Sequence, residues 1–246
     1  MRALAILEAI AASDERPLST TDLIETVGLP KATVHRLCAL LEHDGYLRRE
    51  PGGKRLITGP ALTRLTYSVL AGTGERTPRR AILQALAGEI EETCNISVPN
   101  GTEMIYYDRV ETKWPLRLEL VPGSRVPLHC TASGKLFLST LSKERRRRVI
   151  GRLSLDPLTS NTITDPMVLE QAIARIKVTG VGTDDQEFLP GMVACAVPVV
   201  VENGRFCMAV AAHAPAARLK IDEMTQHVPA LKRAAAELSA LVEPGH

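Results

Sequence analysis

The chain has 246 residues, 45% of them hydrophobic and 24% charged, which suits one large or two modest soluble domains. A net charge of only +2 excludes a bulk polycation that coats nucleic acid, so any DNA binding has to come from a local patch. Aromatic residues, at 3%, are too few to build the stacking platforms of a single-strand binder, and no apolar run approaches the roughly 18–20 residues that span a bilayer. Glu8 follows only six residues after the Arg2 charge, so the start reads as a helix and not as a signal peptide. Cys38, Cys94, Cys130, Cys195 and Cys207 are scattered, odd in number and without a CxxC pair. They fit reduced thiols in the cytoplasm better than a disulfide framework or a zinc cluster.

Leu4, Leu7, Ile10 and Ala11 recur at helical spacing and predict a first helix, broken at residues 14–18. Ser19 or Thr20 caps a second helix holding Leu23, Ile24 and Val27, and Gly28 ends it. Pro30 suits the first turn of a third helix. On that helix Val34, Leu37, Cys38 and Leu41 share one face, while Ala32, Thr33, His35, Arg36 and Ala39 lie on the other. Segments 46–49 and 54–57 around Pro51-Gly52-Gly53 predict a hairpin. Charge balance is −3 over residues 1–30 and +3 over 31–55, so the positive charge gathers on the third helix and the hairpin. Three helices followed by a basic hairpin is the layout of a winged helix-turn-helix.

Residues 60–74 read as a linker helix, with Gly72, Gly74 and Pro78 marking a boundary. A helix over about 79–93 then precedes strands near 95–99, 103–110 and 116–121. Helices follow from Thr131, over 143–151 and over 165–178. Strands near 181–184, 193–200 and 205–212 lead to a last helix over 221–241. The expected division is 1–59 for the winged helix-turn-helix, 60–76 for the linker helix and 77–246 for an effector-binding and oligomerisation domain. The fold class is α+β with a mostly antiparallel sheet.

A helix that enters the major groove must present a slim outer face. Ala32, Thr33 and Ala39 are slim, His35 and Arg36 reach further, and Lys31 sits at the N-terminal tip where this motif contacts bases. Arg48, Arg49, Lys54 and Arg55 on the wing are placed for phosphates. The bland alternative is a three-helix bundle for protein contacts with a solvated hairpin. Residues 28–37 (Gly-Leu-Pro-Lys-Ala-Thr-Val-His-Arg-Leu) followed by Asp44-Gly45-Tyr46-Leu47 resemble the recognition segment of the IclR-type transcriptional regulators. The resemblance continues through residues 127–135 (Pro-Leu-His-Cys-Thr-Ala-Ser-Gly-Lys), Asp184-Asp185-Gln186-Glu187, Gly191, Ala194 and Pro198, and covers nearly the whole chain. It implies a winged helix-turn-helix joined by a helix to a GAF-like effector domain. It also implies a homodimer or homotetramer on a double-stranded operator, and a repressor or activator of an operon, commonly one for catabolism of small organic or aromatic acids.

The resemblance places the effector among Ala132, Ser133, Asp184, Ala194, Ala211 and His213, with the backbone of 132–134, including Gly134, at a helix start. Free N–H groups and the helix dipole there favour an anion, so a ligand carboxylate could dock without a dedicated arginine. Asp184 could accept from a ligand hydroxyl. His213 could donate to an acid, with pH-dependent binding if it titrates near neutrality. Leu116, Leu118 and Leu120 alternate along one strand as an apolar wall. This chain departs from the family where two serines usually face the ligand: it has Ala211 and His213.

Ser133-Gly134-Lys135 lacks the upstream glycine of a phosphate loop, and no cofactor is expected. Cys130 beside His129 is a weak case for a cysteine hydrolase, since neighbours on one element point apart. His129, Cys130, Glu187, Cys207 and His213 are zinc-ligand types without close spacing, which leaves a metal-responsive regulator as one alternative. The other is an interaction module that has lost DNA binding. The run Arg145-Arg146-Arg147-Arg148 spreads around a helix and reads as a solvated face. The resulting expectation is a cytoplasmic, ligand-responsive regulator without membrane association.

Overall fold

In the computed structural model residues 2–13, 17–50, 53–62, 64–65, 73–112, 120–201 and 204–242 are described, with backbone alone at 73–77. The expected break at 14–16, the tip Pro51-Gly52, most of the linker at 63 and 66–72, and the 116–121 strand with Leu116 and Leu118 fall wholly or largely outside them. The chain divides into two compact units, Met1–Thr73 and Gly74–His246.

In the first unit α1 (Arg2–Ala12), α2 (Thr20–Val27) and α3 (Lys31–His43) precede a two-stranded antiparallel hairpin of β1 (Leu47–Arg49) and β2 (Leu56–Thr58). Ser19 caps α2 in a capping box. Its Oγ accepts from the Asp22 N–H at 3.1 Å, and Asp22 Oδ2 accepts from the Ser19 N–H at 2.8 Å. Gly28, at φ 64°, closes α2. Pro30 stands just before α3, and its carbonyl takes the first helical bonds, from Thr33 and Val34. Ile6, Leu7, Ile10, Leu23, Val34, Cys38, Leu41, Leu47 and Leu56 form one core. Each fully buried leucine or isoleucine contributes about 1.5–3 kcal/mol, so Ile6, Leu23 and Leu56 at the centre hold three helices and the hairpin together. Leu18 bridges to Leu56 and ties the segment before α2 to the wing.

The second unit opens with α4 (Thr73–Ile90), which begins well before the expected 79. The N–H missing at Pro78 removes one bond near the helix start without ending the helix. Strands β3 (Thr93–Asn100), β4 (Glu103–Val110), β5 (Arg125–Pro127), β6 (Gly182–Asp185), β7 (Met192–Val201) and β8 (Arg205–Pro215) form a six-stranded sheet in the order β5-β4-β3-β8-β7-β6, antiparallel at every pair. Helices α5 (Ala132–Thr140), α6 (Lys143–Ile150) and α7 (Pro166–Thr179) lie between β5 and β6 in sequence. The expected last helix is broken into α8 (Ile221–Met224), a 3-10 turn (Thr225–His227) and α9 (Val228–Val242). Pro229 cannot donate to the Thr225 carbonyl, and its ring crowds that turn.

Period-two alternation assigns the two faces. Ala194 and Ala196 of β7 pack with Ala209 and Ala211 of β8 against Ala132 and Leu136 of α5 and Ile176 of α7. Cys195, between those alanines, points the other way, with Sγ 3.5 Å from the Met224 carbonyl of α8. An alanine surface lets α5 lie close on the sheet. A Cβ at Gly182 would come within 2.1 Å of the Ala132 oxygen, and one at Gly134 within 2.5 Å of the Leu128 backbone. Only glycine permits these two approaches, and together they press the N-terminus of α5 onto β6 and the turn before it.

Candidate functional site

On α3, Lys31, Ala32, His35, Arg36 and Ala39 are exposed and Thr33 is half-buried, while Val34, Cys38 and Leu41 face the core. This is the slim, basic outer face expected from the sequence. On the wing Arg48, Arg49 and Lys54 are exposed and Arg55 is half-buried. Two of the four cations work within the unit. Arg49 pairs with Glu42 at 2.9 Å and donates to the Lys54 carbonyl at 3.0 Å, and Arg55 donates to the Pro17 carbonyl at 3.1 Å. Arg48 lies opposite Ile57 on the hairpin and stands clear.

A second site lies between the start of α5 and the sheet. A small cavity of about 10 Å³ is walled by Thr131, Ala132 and Ser133 from α5, Tyr106 and Arg109 from β4, Asp184 from β6 and His213 from β8. Leu120, Phe188, Leu189 and Met192 supply apolar wall. A neighbouring, larger cavity of about 170 Å³ shares Arg109, Met192 and His213. Ser133 is buried in the first turn but does not cap the helix. Thr131 does: its Oγ1 accepts from the Gly134 N–H at 3.1 Å and donates to the Pro127 carbonyl at 2.6 Å. The Gly134 N–H is therefore already engaged, and Gly134 is outside the wall. Ala194 and Ala211 are also outside it. They are the packing surface under α5.

Asp184 does a structural task at the cavity edge. Its Oδ1 accepts from the N–H groups of Glu187 (2.7 Å) and Phe188 (3.3 Å) and so shapes the turn after β6. Burial, opposed by those bonds and by Lys135, pushes its carboxyl up to about 7. Near neutrality part of it is the acid form, which can donate as well as accept. Glu187 and Lys135 form a buried ion pair next to it. Burial and the Arg109 charge push His213 down to about 3, so the imidazole is neutral throughout the physiological range. Its Nε2 lies 2.5 Å from Asn95 Oδ1 on the adjacent strand. The titration near neutrality considered for His213 is thus absent.

The sequence reading missed Arg109, Tyr106 and Asn95. Arg109 is a buried cation in the wall of both cavities, its Nε 3.5 Å from Glu111 Oε1. A charged residue inside the predicted 103–110 strand is a usable signal, but strict alternation would put it on the face away from Tyr106.

The catalytic and metal readings find no support in the geometry. Cys130 is fully buried and its thiol is pushed up to about 12, so it carries no thiolate. Among the described residues no three His, Cys, Asp or Glu side chains converge as metal ligands. Arg146 pairs with Glu170 of α7 at 2.8 Å, while Arg147 and Arg148 face solvent. Among the described residues no helix is long and apolar enough to cross a membrane.

Two family descriptions match the chain: the IclR helix-turn-helix domain over residues 1–51, and the bacterial transcriptional regulator IclR C-terminal over residues 69–240. The probable transcriptional regulator SauR of Cupriavidus necator is 42% identical over 238 residues, 97% of this chain and 94% of that protein. The crystal structure of the Thermotoga maritima IclR superposes with a TM-score of 0.65 at 26% identity, covering 97% of this chain and 96% of that one. An IclR homolog from Microbacterium hydrocarbonoxydans, solved as a complex with 4-hydroxybenzoate, has the same fold, with a TM-score of 0.62, 21% identity, and 98% and 97% coverage. The family descriptions together span most of the chain, and these relatives are transcriptional regulators, not enzymes. With its winged helix-turn-helix unit and its α5 cavity, the chain is a DNA-binding transcriptional regulator that belongs to the IclR family.

Proposed function

We propose that this regulator is controlled by a small organic acid bound in the α5 cavity and that it governs a catabolic operon. Residues 1–59 would read DNA, 60–76 would link, and 77–246 would bind the effector and hold the oligomer. Lys31, Ala32, Thr33, His35 and Arg36 read base edges in the major groove, and Arg48 and Lys54 take flanking phosphates. Arg49 and Arg55 contribute less, because each already has a partner within the unit. As a dimer or tetramer the protein presents two readers to half-sites about one helical turn apart.

The observation that carries effector control is a cavity between a helix N-terminus and a sheet that contributes a buried arginine and a neutral histidine. The guanidinium and the helix start together give a positive potential, which favours an acid over an amine or a neutral ligand. The adjoining cavity of about 170 Å³, which shares Arg109, Met192 and His213 with the α5 cavity, gives room for a carbon skeleton beyond one or two atoms. The 4-hydroxybenzoate bound by the Microbacterium hydrocarbonoxydans homolog supports an aromatic carboxylate as the first probe. The ligand controls DNA binding only as far as it prefers one arrangement of the protein over another.

The test is selection of genomic fragments by the purified protein at moderate salt, with and without a pool of small carboxylic acids. The expected result is one enriched pseudo-palindromic site whose occupancy changes with an acid. Enrichment that no acid alters would remove the effector reading and leave the DNA reading standing.

A further inference from the structure

The two cavities differ in what they can hold. A cavity of about 150 Å³ accepts a benzene ring, so the larger one, at about 170 Å³, takes a carbon skeleton of that size. The smaller, at about 10 Å³, has room for about one water-sized group and not for a carboxylate. Its wall is nevertheless rich in polar side chains, with Thr131, Ser133, Asp184, Tyr106 and His213. Tyr106 reaches it because a bulge at Ile96/Ser97 gives β4 one extra residue. Burial pushes the Tyr106 phenol up, so it keeps its proton. His213 stands in the wall of both cavities. Its imidazole is neutral, so one ring nitrogen donates and the other accepts. Nε2 lies 2.5 Å from the Asn95 carbonyl oxygen, which can only accept, and so Nε2 carries the proton. Asn95 is completely buried, which holds that partner in place. Nδ1 is left with a lone pair alone. A carboxylate would repel that lone pair, whereas a hydroxyl would donate to it.

We propose that the effector is a hydroxy acid whose hydroxyl enters the small cavity and donates to His213 Nδ1, while its carbon skeleton and its acid group stay in the larger one. This inference rests on the reading of the site as one for an organic acid. The hydroxyls of Tyr106 and Ser133, in the same wall, can donate to the lone pairs of the ligand oxygen. A site that pairs a ligand hydroxyl in this way rejects the analogue that lacks it, because its own polar groups are then left unpaired. His213 is thus the residue that sets the choice between a hydroxy acid and a plain one.

The experiment is calorimetric titration of the full-length protein with lactate against propionate, malate against succinate, and 4-hydroxybenzoate against benzoate. At least one hydroxy acid is expected to bind about 10- to 30-fold more tightly than its partner. The fluoro analogue of that acid fills the place of the hydroxyl without donating, and should bind no better than the plain acid. His213→Leu removes the acceptor at similar volume. In it the preference should fall to within about 3-fold, with the plain acid changed by less than about 3-fold. Long-range proton–nitrogen NMR correlation on the wild type reads the imidazole tautomer directly and decides the matter if the leucine variant does not fold. Nε2–H with a bare Nδ1 is expected. The Nδ1–H tautomer, which requires the Asn95 amide to turn round, would overturn the proposal. Equal binding within every pair, a fluoro analogue as good as the hydroxy acid, or a preference that His213→Leu leaves intact would overturn it as well, and each leaves the site as one for an organic acid. No binding by any of these acids would remove the organic-acid reading itself, and this inference with it.

Discussion

Tyr106 and Arg109 are three residues apart on β4, yet both face α5 and line one cavity. Regular alternation would put them on opposite faces. The bulge between them changes the parity, and it also turns Asp108 to the far side. There Asp108 accepts from Arg79 at 3.5 Å and from Arg80 at 2.9 Å, while the Arg79 guanidinium lies 4.0 Å over the Tyr107 ring. One irregularity therefore aims a cation at the cavity and anchors α4 to the same strand.

Asp108→Ala leaves Arg79 buried with no carboxylate beside it. Breaking a buried pair on one side costs about 3 kcal/mol or more, whereas the half-exposed Arg80 loses little. Urea unfolding should be followed by circular dichroism. Asp108→Ala should lower that transition by this amount, and Asp108→Asn by less. A loss below about 1 kcal/mol would show that the pair does not hold α4.

His213 and Asp184 titrate with opposite sign. His213 is held at about 3 in the fold against an ordinary 6.5, so the unfolded chain binds the extra proton. Its contribution is complete above pH 6.5 and is lost as pH falls toward 3. Asp184 is held at about 7 against an ordinary 3.8, so the folded chain keeps the extra proton. Its contribution is complete below pH 3.8 and is lost as pH rises through 7. Between pH 4 and 6.5 the two slopes offset each other. Asp184→Asn removes one of them, so stability should then rise with pH by about 1.4 kcal/mol per unit in that window relative to the wild type. His213→Gln should tilt it the other way. The same tilt in both variants would contradict these assignments.

The local signals were strong in the first unit. Ser19, Gly28 and Pro30 bound the helices where capping chemistry places them, and one apolar face of α3 left the other for DNA. In the second unit the elements were legible from periodicity, except the three-residue β5 and the break at Pro229. The cavity was legible only from α5 outward. The family resemblance put Ala194 and Ala211 in the wall. The structure uses their smallness to seat the helix. Arg109 and the contact of Asn95 with His213 were hidden for two reasons. A bulge leaves no mark in the composition of a strand, and strands distant in sequence meet only through the order β4-β3-β8.

Arg36 and Arg48 make separable predictions about DNA. Arg36 projects from the exposed face of α3, so Arg36→Ala should cost about 1–3 kcal/mol on the best site and relax preference at one base pair. Arg48 is exposed on the wing, so Arg48→Ala should weaken all sequences alike and reduce the salt slope by about one. Fluorescence anisotropy on the selected site and on single-base variants, at several salt concentrations, distinguishes them. A uniform loss for Arg36→Ala would move it to the phosphates.

Gly182 joins the sheet to the cavity. It sits on β6 opposite Ala196, with the Ala132 carbonyl of α5 directly above. A methyl group there would meet backbone oxygen at 2.1 Å and the Leu136 Cβ at 2.9 Å, and neither can rotate away. Helix α5 has to lift at its first turn, which is the end that carries Thr131 and Ser133 into the cavity wall. Overpacking of this kind costs about 1–3 kcal/mol and often more against backbone. Gly182→Ala should therefore lower the stability of the second unit in urea by at least about 1 kcal/mol and weaken carboxylate binding more than Ser133→Ala does. The winged helix-turn-helix belongs to the other unit, so non-specific affinity for duplex DNA at low salt should stay unchanged. Normal carboxylate affinity in Gly182→Ala would mean that the first turn of α5 does not set the geometry of the cavity.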